Sequence, residues 1–314
     1  VKFNKYTSTE NSYREKYIAI LREYGFDNVQ WVAHEKIDGA NFSFITDGKI
    51  VAVASRNELS NGDFYHCQDV IDKYTEKALY LKQVHFSDAK QIQIYGELFG
   101  NGVQKQKVFY SETKDYMAFE IQVDGVVVDA DVAVGLLTLV GIPTPPSFGV
   151  FASLDEALEL PNVFISQVYD ELYPGGSVCQ YELGENDAEG LVIKPVKALY
   201  TPNGKRVIIK NKNPKFSEKK KKNKTPAEPN PWIDIAEQYV TQNRLDAVLS
   251  KEGELTPKDF GRVIRLMSND IIDDMIKDGD LPENWRKASE CKLAGKGITK
   301  VVSSFLKVNL LHTL

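Results

Sequence analysis

The sequence predicts an α+β fold in two parts: a larger amino-terminal domain of antiparallel sheets with flanking helices, and a small all-helical carboxy-terminal domain. Three observations predict it. Short apolar, β-branched runs recur up to residue 213, and Asp-Gly pairs at 47–48 and 124–125 join neighbouring runs, the pattern of hairpins. A lysine run and then TPAEPNPW interrupt the chain between Asn213 and Trp232, as a linker would. Beyond it apolar residues recur at helical spacing, with no run of alternating strands. The expected boundaries are 1–222 for the first domain, 223–231 for a Pro-containing linker and 232–314 for the helices.

Each element has its own signal. Tyr13, Tyr17, Ile20, Leu21 and Tyr24 mark an amphipathic helix beginning near Asn11 and ending at Gly25. VQWVAHEK reads as a strand, and NFSFIT and KIVAVASR as a hairpin turning at Asp47-Gly48. A helix follows over 66–83. QIQIYGELF and DYMAFEIQV are strands, the second turning at Asp124-Gly125 into VVVDA. Short helices are expected over 130–140 and Leu154–Leu160, and core strands at EGLVIKP and RVIIKNKN. In the last part, IAEQYVTQNRLDAVLSK reads as one helix ending at Gly253. A second starts at a Thr256 cap with Pro257 in the first helical position, and a third lies within 284–310.

Composition bounds the function. The 314 residues are 42% hydrophobic, and no run approaches the ~18–20 apolar residues of a membrane span. The amino terminus has no apolar signal core. Cys67, Cys179 and Cys291 are scattered and form no zinc spacing, and His66-Cys67 has no second pair nearby. A reducing, intracellular and cytoplasmic location is expected, the host cytoplasm if the protein is viral. The net charge of −5 conceals an asymmetry: residues 1–204 hold 17 Lys and Arg against 29 Asp and Glu, whereas 205–224 hold 10 against Glu218 alone. Such a basic block is either a polyanion contact or a solvated linker.

Five short motifs follow one another: EKIDGANF at 35–42, GELFG at 96–100, DYMAFEI at 115–121, EGLVIKP at 189–195 and VIIKNKN at 207–213. A lysine at its ordinary pKa of ~10.4 is protonated at neutral pH and cannot attack phosphorus. It becomes a nucleophile only through desolvation or cationic neighbours. Lys36 stands between a strand and the Asp38-Gly39 turn, where glycine lets the chain approach a ligand. Lys210 and Lys212 are two apart on a strand and so share a face, suited to a triphosphate or to a solvent-facing sheet edge. Glu97 and Glu189 each adjoin a glycine at a strand end, where a carboxylate can take a ribose hydroxyl or a divalent cation. Phe119 is either core or a stacking platform for a base. There is no GxxxxGK[ST] loop and no GxGxxG.

Lys-x-Asp-Gly with this downstream order resembles the covalent nucleotidyltransferases, the ligases and capping enzymes that carry a nucleotide on lysine. More closely, NFSF after the lysine motif, GNGVQK, KNPKFSEKKK and YVTQNRLDAVLSKEGELTPKDFG are similar to the phage-type RNA ligase 2 family, which also includes the kinetoplastid RNA-editing ligases. That resemblance covers nearly the whole chain. It implies an adenylyltransferase domain and an ATP-dependent RNA ligase that seals 3′-hydroxyl and 5′-phosphate ends, as at nicks in duplex RNA. A lysyl-AMP and an adenylated RNA end would be its intermediates. DNA ligases and capping enzymes, the nearest alternatives, carry a β-barrel after the core; a non-catalytic RNA-binding scaffold is the other.

The resemblance implies Lys36 as the nucleophile, Asn41 and Arg56 against the nucleotide or RNA ends, Glu97 on the ribose and Phe119 on adenine. Glu189 would position metal or water, with Lys210 and Lys212 on phosphates, Lys194 nearby, and Glu35 and Asp38 completing the nucleotide set. Phage-type members often have His where this chain has Asp38. ATP and Mg2+ or Mn2+ are the implied cofactors, RNA the partner and a monomer the expected state. Arg244, Lys258, Arg262 and Arg265 point to the carboxy-terminal helices as a contact for RNA ends that lysine adenylation does not need.

Overall fold

The computed structural model describes residues 1–60, 63–103, 108–174, 181–217, 230–252, 259–287 and 291–309. Two compact units divide the chain, Val1–Lys215 and Phe216–Leu314. The first contains β1 (Glu10–Asn11), α1 (Glu15–Glu23), β2 (Trp31–Glu35), β3 (Ala40–Thr46), β4 (Val51–Ser55), β5 (Leu59–Ser60), α2 (Gln68–His85), β6 (Ile92–Phe99), β7 (Asp115–Val123) and β8 (Val126–Val127). It continues through α3 (Ala130–Leu139), β9 (Ser147–Phe151), α4 (Leu154–Leu158), α5 (Val168–Leu172), β10 (Gly190–Pro195) and β11 (Ile209–Lys212).

Among the described residues these strands form two sheets, ordered β1-β11-β10-β2-β9 and β5-β4-β3-β6-β7-β8. All pairings are antiparallel except β1 with β11. The fold is therefore α+β. One core lies against the second sheet, where Phe42, Phe44, Ile94 and Tyr116 pack with Tyr74 and Leu81 of α2 and Leu137 of α3. The other joins Trp31, Leu191, Ile193 and Ile209 of the first sheet to Ile18 and Leu21 of α1 and Leu154 of α4.

Both Asp-Gly turns form. Asp47 accepts from the Lys49 and Ile50 N–H groups at 2.9 and 3.1 Å. Asp124 and Gly125 both have positive φ, 49° and 91°, the backbone of a two-residue hairpin. Several expectations change. The first helix begins at Glu15, because Glu10 and Asn11 pair with β11 instead. Tyr13, Ile20 and Tyr24 are exposed, and the buried face is Ile18 and Leu21. RVIIKNKN is a strand only from Ile209. Upstream, the Val207 N–H bonds Leu199 O and the Thr201 N–H bonds Lys205 O, so 199–207 makes its own hairpin. VVVDA yields only the two residues of β8, and Asp129 becomes the N-cap of α3.

The second unit contains α6 (Pro231–Glu237), α7 (Gln242–Leu249), α8 (Phe260–Asp278) and α9 (Cys291–Asn309). Leu245, Met267, Ile271, Met275, Ile298 and Val302 form its core. IAEQYVTQNRLDAVLSK is two helices, not one: Thr241 is extended, and its side chain accepts from the Arg244 N–H as the cap of α7. Arg244 is not a surface residue for RNA. It is buried, donates Nε to Tyr239 O at 2.8 Å and Nη2 to Asp274 at 2.9 Å, and pairs with Asp270. Arg262 pairs with Glu252, and Arg265 is exposed. Lys258, Thr256, residues 218–222 and residues 223–229 of the expected linker lie outside the described residues. Among the described residues no helix is long and apolar enough to cross a membrane.

Candidate active site

The Lys36–Gly39 segment is the crossing from the first sheet to the second, since β2 belongs to one and β3 to the other. A Cβ on Gly39 would lie 2.3 Å from Leu98 O and 2.8 Å from Glu97 Cγ, so only glycine lets the crossing pass this close to β6. The Lys36 N–H bonds Gly190 O at 2.8 Å, and the Asn213 N–H bonds Glu189 O at 2.9 Å. These two bonds fix the Glu189-Gly190 peptide between the lysine motif and the end of β11.

The side chains then converge. Lys36 Nζ lies 2.6 Å from one Glu189 oxygen, and Lys212 Nζ lies 2.8 Å from the other. The Glu189 side chain is 5% exposed and that of Lys36 is 21% exposed, so the amine can meet a ligand while its partner is shielded. Burial alone would raise the Glu189 carboxyl. The Lys212 and Lys36 ammoniums outweigh it and hold the group below its ordinary value. Glu189 is therefore a carboxylate that grips two cations, and a poor acceptor for their protons.

Glu97 lies on β6 opposite Asn41 on β3. Burial pushes its carboxyl up to about 8, with Glu189 and Asp38 adding to the rise and Lys36 and Arg56 opposing it. An acid raised in the folded state favours folding below its ordinary value near 4.5 and loses that contribution as pH rises through 8. Glu97→Gln cannot ionise. Its melting temperature is expected to gain on the wild type between pH 5 and pH 9, with Glu35 titrating identically in both proteins. A constant difference across that range would show that Glu97 ionises normally.

The sequence comparisons can now be set beside this geometry. Residues 29–212 match the family model described as RNA ligase, and 223–308 match the one described as T4 RNA ligase 2 C-terminal. The chain belongs to the RNA ligase family. Among solved structures it is similar to a Naegleria gruberi RNA ligase with PPi, at 14% identity and a TM-score of 0.46, covering 67% of this chain and 56% of that one. A mutant of the Naegleria enzyme with ATP and Mn matches at 14% identity and a TM-score of 0.45, covering 68% and 57%. The match thus spans little more than half of the Naegleria chains.

Within this family member, the expected residues occupy different places. Lys36, Glu189 and Lys212 form one connected group, and Lys36, Glu189, Asp38 and Arg56 all lie close enough to Glu97 to act on its charge. The Asp38 N–H is held by the Tyr110 hydroxyl at 2.8 Å. Lys210 stands on β11 between Asn11 and Val192. Phe119, on β7, is half-buried, with the Tyr6 ring edge-on at 5.1 Å. Lys194 is buried and donates to Phe119 O at 2.6 Å, so it braces the Phe119 backbone. Glu35 differs from expectation. Its carboxylate accepts from Ser166 Oγ at 2.6 Å and Gln167 N at 2.8 Å. Burial raises it to about 7 despite those bonds.

Sequence reasoning missed Tyr110, Tyr6 and Asn162. The Asn162 Nδ2 bonds Lys212 O at 2.8 Å and so steadies the end of β11. None of the three sits in a motif, and each reaches the site from a loop or terminus.

Proposed function

We propose that this protein is an ATP-dependent RNA ligase that joins 3′-hydroxyl and 5′-phosphate ends, with nicked duplex RNA as its substrate. The observation that carries the reading is the Lys36–Glu189–Lys212 group at the crossing between the two sheets. In the first step the Lys36 nitrogen, once deprotonated, forms a bond to the α-phosphorus of ATP, and the bond to pyrophosphate breaks. Lys212, with Lys210 beside it on β11, faces the charge that the phosphates carry. Glu97 takes the ribose and Phe119 the adenine, with Asn41, Arg56 and Asp38 around the nucleotide.

Glu189 suits a magnesium or manganese ion that arrives on a triphosphate, since such an ion takes one or two carboxylates and fills its shell with phosphate oxygens and water. When bound it would neutralise phosphate charge. AMP then passes from Lys36 to the RNA 5′-phosphate, and the 3′-hydroxyl displaces it. Each step is an in-line attack that depends on positioning. Readout of RNA would rest on phosphates, 2′-hydroxyls and A-form shape. The protein acts as a monomer in this reading, and the helical unit contributes to RNA-end binding through residues other than Arg244.

The test is incubation with α-labelled ATP and magnesium, then a denaturing gel, intact mass and peptide mapping. An added AMP on the peptide containing Lys36 is expected. Protein that neither takes the label nor already carries AMP would refute the ligase reading, and label from GTP alone would point to a capping-type activity. Sealing of nicks with RNA but not DNA on the 3′-hydroxyl side would establish the substrate class.

A further inference from the structure

We infer that the first unit has a second ligand site, a cleft that takes a phosphate group on Arg206 and whose lining includes none of Lys36, Glu189 and Lys212. The cleft has a volume of about 150 Å³ and is bordered by Tyr6, Thr7, Tyr95, Glu120, Tyr200 and Arg206. Its walls come from three directions. The amino-terminal segment lies across β6 and β7, where Gln93 bonds both Asn4 N and Asn4 O and Tyr95 donates to Asn4 O. β7 supplies Glu120, and the 199–207 hairpin supplies Tyr200 and Arg206.

Arg206 is the argument for a ligand. It is 4% exposed. One nitrogen, Nη2, reaches Glu120 at a long 3.4 Å, while Nε and Nη1 have no hydrogen-bond partner among the described residues. A buried guanidinium with unmet N–H groups is unfavourable unless something accepts from them. The charge is also unbalanced. Lys194 and Arg206 are both buried, and among the described residues Glu120, 3.8 and 3.4 Å from them, is the carboxylate that pairs with both. His34, also buried, is held neutral at pH 7 by burial and by the Lys194 charge. Burial works against the Lys194 ammonium as well, so two buried basic groups share one carboxylate beside the cleft. A dianionic or monoanionic phosphate supplies the missing acceptors and further negative charge, and its size suits the volume. The exposed Tyr200 ring, 5.8 Å from the Arg206 guanidinium, and Lys5 at the rim suit a phosphate that enters from solvent.

Two sources share that chemistry, free inorganic phosphate and a phosphate of an RNA strand. The experiment is the thermal stability of the full chain in potassium phosphate against potassium chloride of equal ionic strength. The protein is then tested with a tetraribonucleotide carrying or lacking a 5′-phosphate. A phosphate-specific rise in melting temperature is expected, retained in Lys212→Ala and weakened in apparent affinity by about tenfold or more in Arg206→Lys. Thr7→Glu places a carboxylate inside the cleft. It is expected to melt higher than the wild type without phosphate and to lose the phosphate response. It decides the matter if Arg206→Lys does not fold.

A larger response to the 5′-phosphorylated oligonucleotide than to inorganic phosphate would assign the site to RNA, and the reverse to free phosphate. No rise beyond chloride in the wild type overturns the proposal. So does a response that disappears in Lys212→Ala and persists in Arg206→Lys and Thr7→Glu. None of these outcomes depends on ligase activity.

Discussion

Lys36→Ala is expected to take up no AMP and to lose sealing of an ordinary 5′-phosphate nick by about 10⁴-fold or more, yet to retain sealing of a strand whose 5′ end already carries AMP. The distinction follows from which bonds the amine makes. In the proposed reaction Lys36 forms the phosphorus–nitrogen bond of the first step and gives it up in the second. In the last step a 3′-hydroxyl oxygen attacks phosphorus and AMP leaves, and no lysine nitrogen is bonded at any point. What the last step does need is the charged frame that remains, Glu189 with Lys212 at 2.8 Å and Lys210 on the same strand.

Alanine also removes one of the two ammoniums that hold Glu189, so a second variant is informative. Lys36→Arg keeps a cation beside that carboxylate but supplies a guanidinium, which stays protonated and cannot act as the nucleophile. Both variants should fail with ATP, and Lys36→Arg should seal the pre-adenylated strand at least as well as Lys36→Ala. Single-turnover sealing of the two substrates checks this. Equal losses on both substrates would mean that Lys36 serves the frame and not the chemistry of the first step alone.

Much of this site is legible in the sequence because backbone geometry enforces it. Gly39 has to be glycine to pass Leu98, so Lys36, Asp38 and Gly39 appear together as a motif. Glu189 adjoins Gly190 for a similar reason. The Asp47-Gly48 and Asp124-Gly125 turns announce their hairpins, as positive φ requires. What is not legible depends on contacts distant in sequence. Glu35 sits in the lysine motif, but its carboxylate is claimed by Ser166 and Gln167, more than a hundred residues away. Arg244 reads as a surface cation until Asp270 and Asp274, a helix later, close around it. β9 escapes notice because SFGVF is short, follows paired prolines and gains its strand character only from pairing with β2. Periodicity also misleads where a helix is short: Tyr13 and Tyr24 keep the spacing of α1 but lie outside its ends.

Gly190→Ala is expected to destabilise the first unit by about 3–5 kcal/mol, combining a strained backbone with overpacking, and to remove AMP labelling even in the folded fraction. Gly190 has a φ of +134°, a region that L side chains rarely occupy. A Cβ there would lie 2.3 Å from Asn211 O, 2.8 Å from Lys212 Cα and 2.9 Å from Asn213 N. All three atoms are backbone, so no flexible side chain can swing away. The relief available is to part β10 from β11, and that displaces Lys212 from Glu189 and loosens the bond from the Lys36 N–H to Gly190 O. Stability and chemistry therefore fail together.

Gly25→Ala separates the two causes. Its φ of +68° is also positive, but an added Cβ there meets nothing within 4 Å, so the cost falls to about 1 kcal/mol and AMP labelling should persist. Urea unfolding gives the stabilities and the labelled-ATP gel gives the activity of the native fraction. If Gly190→Ala proved no worse than Gly25→Ala in either measurement, the close packing of β10 on β11 could not be what sets Lys212 against Glu189. The position of that carboxylate would then have to come from its two ammonium partners alone.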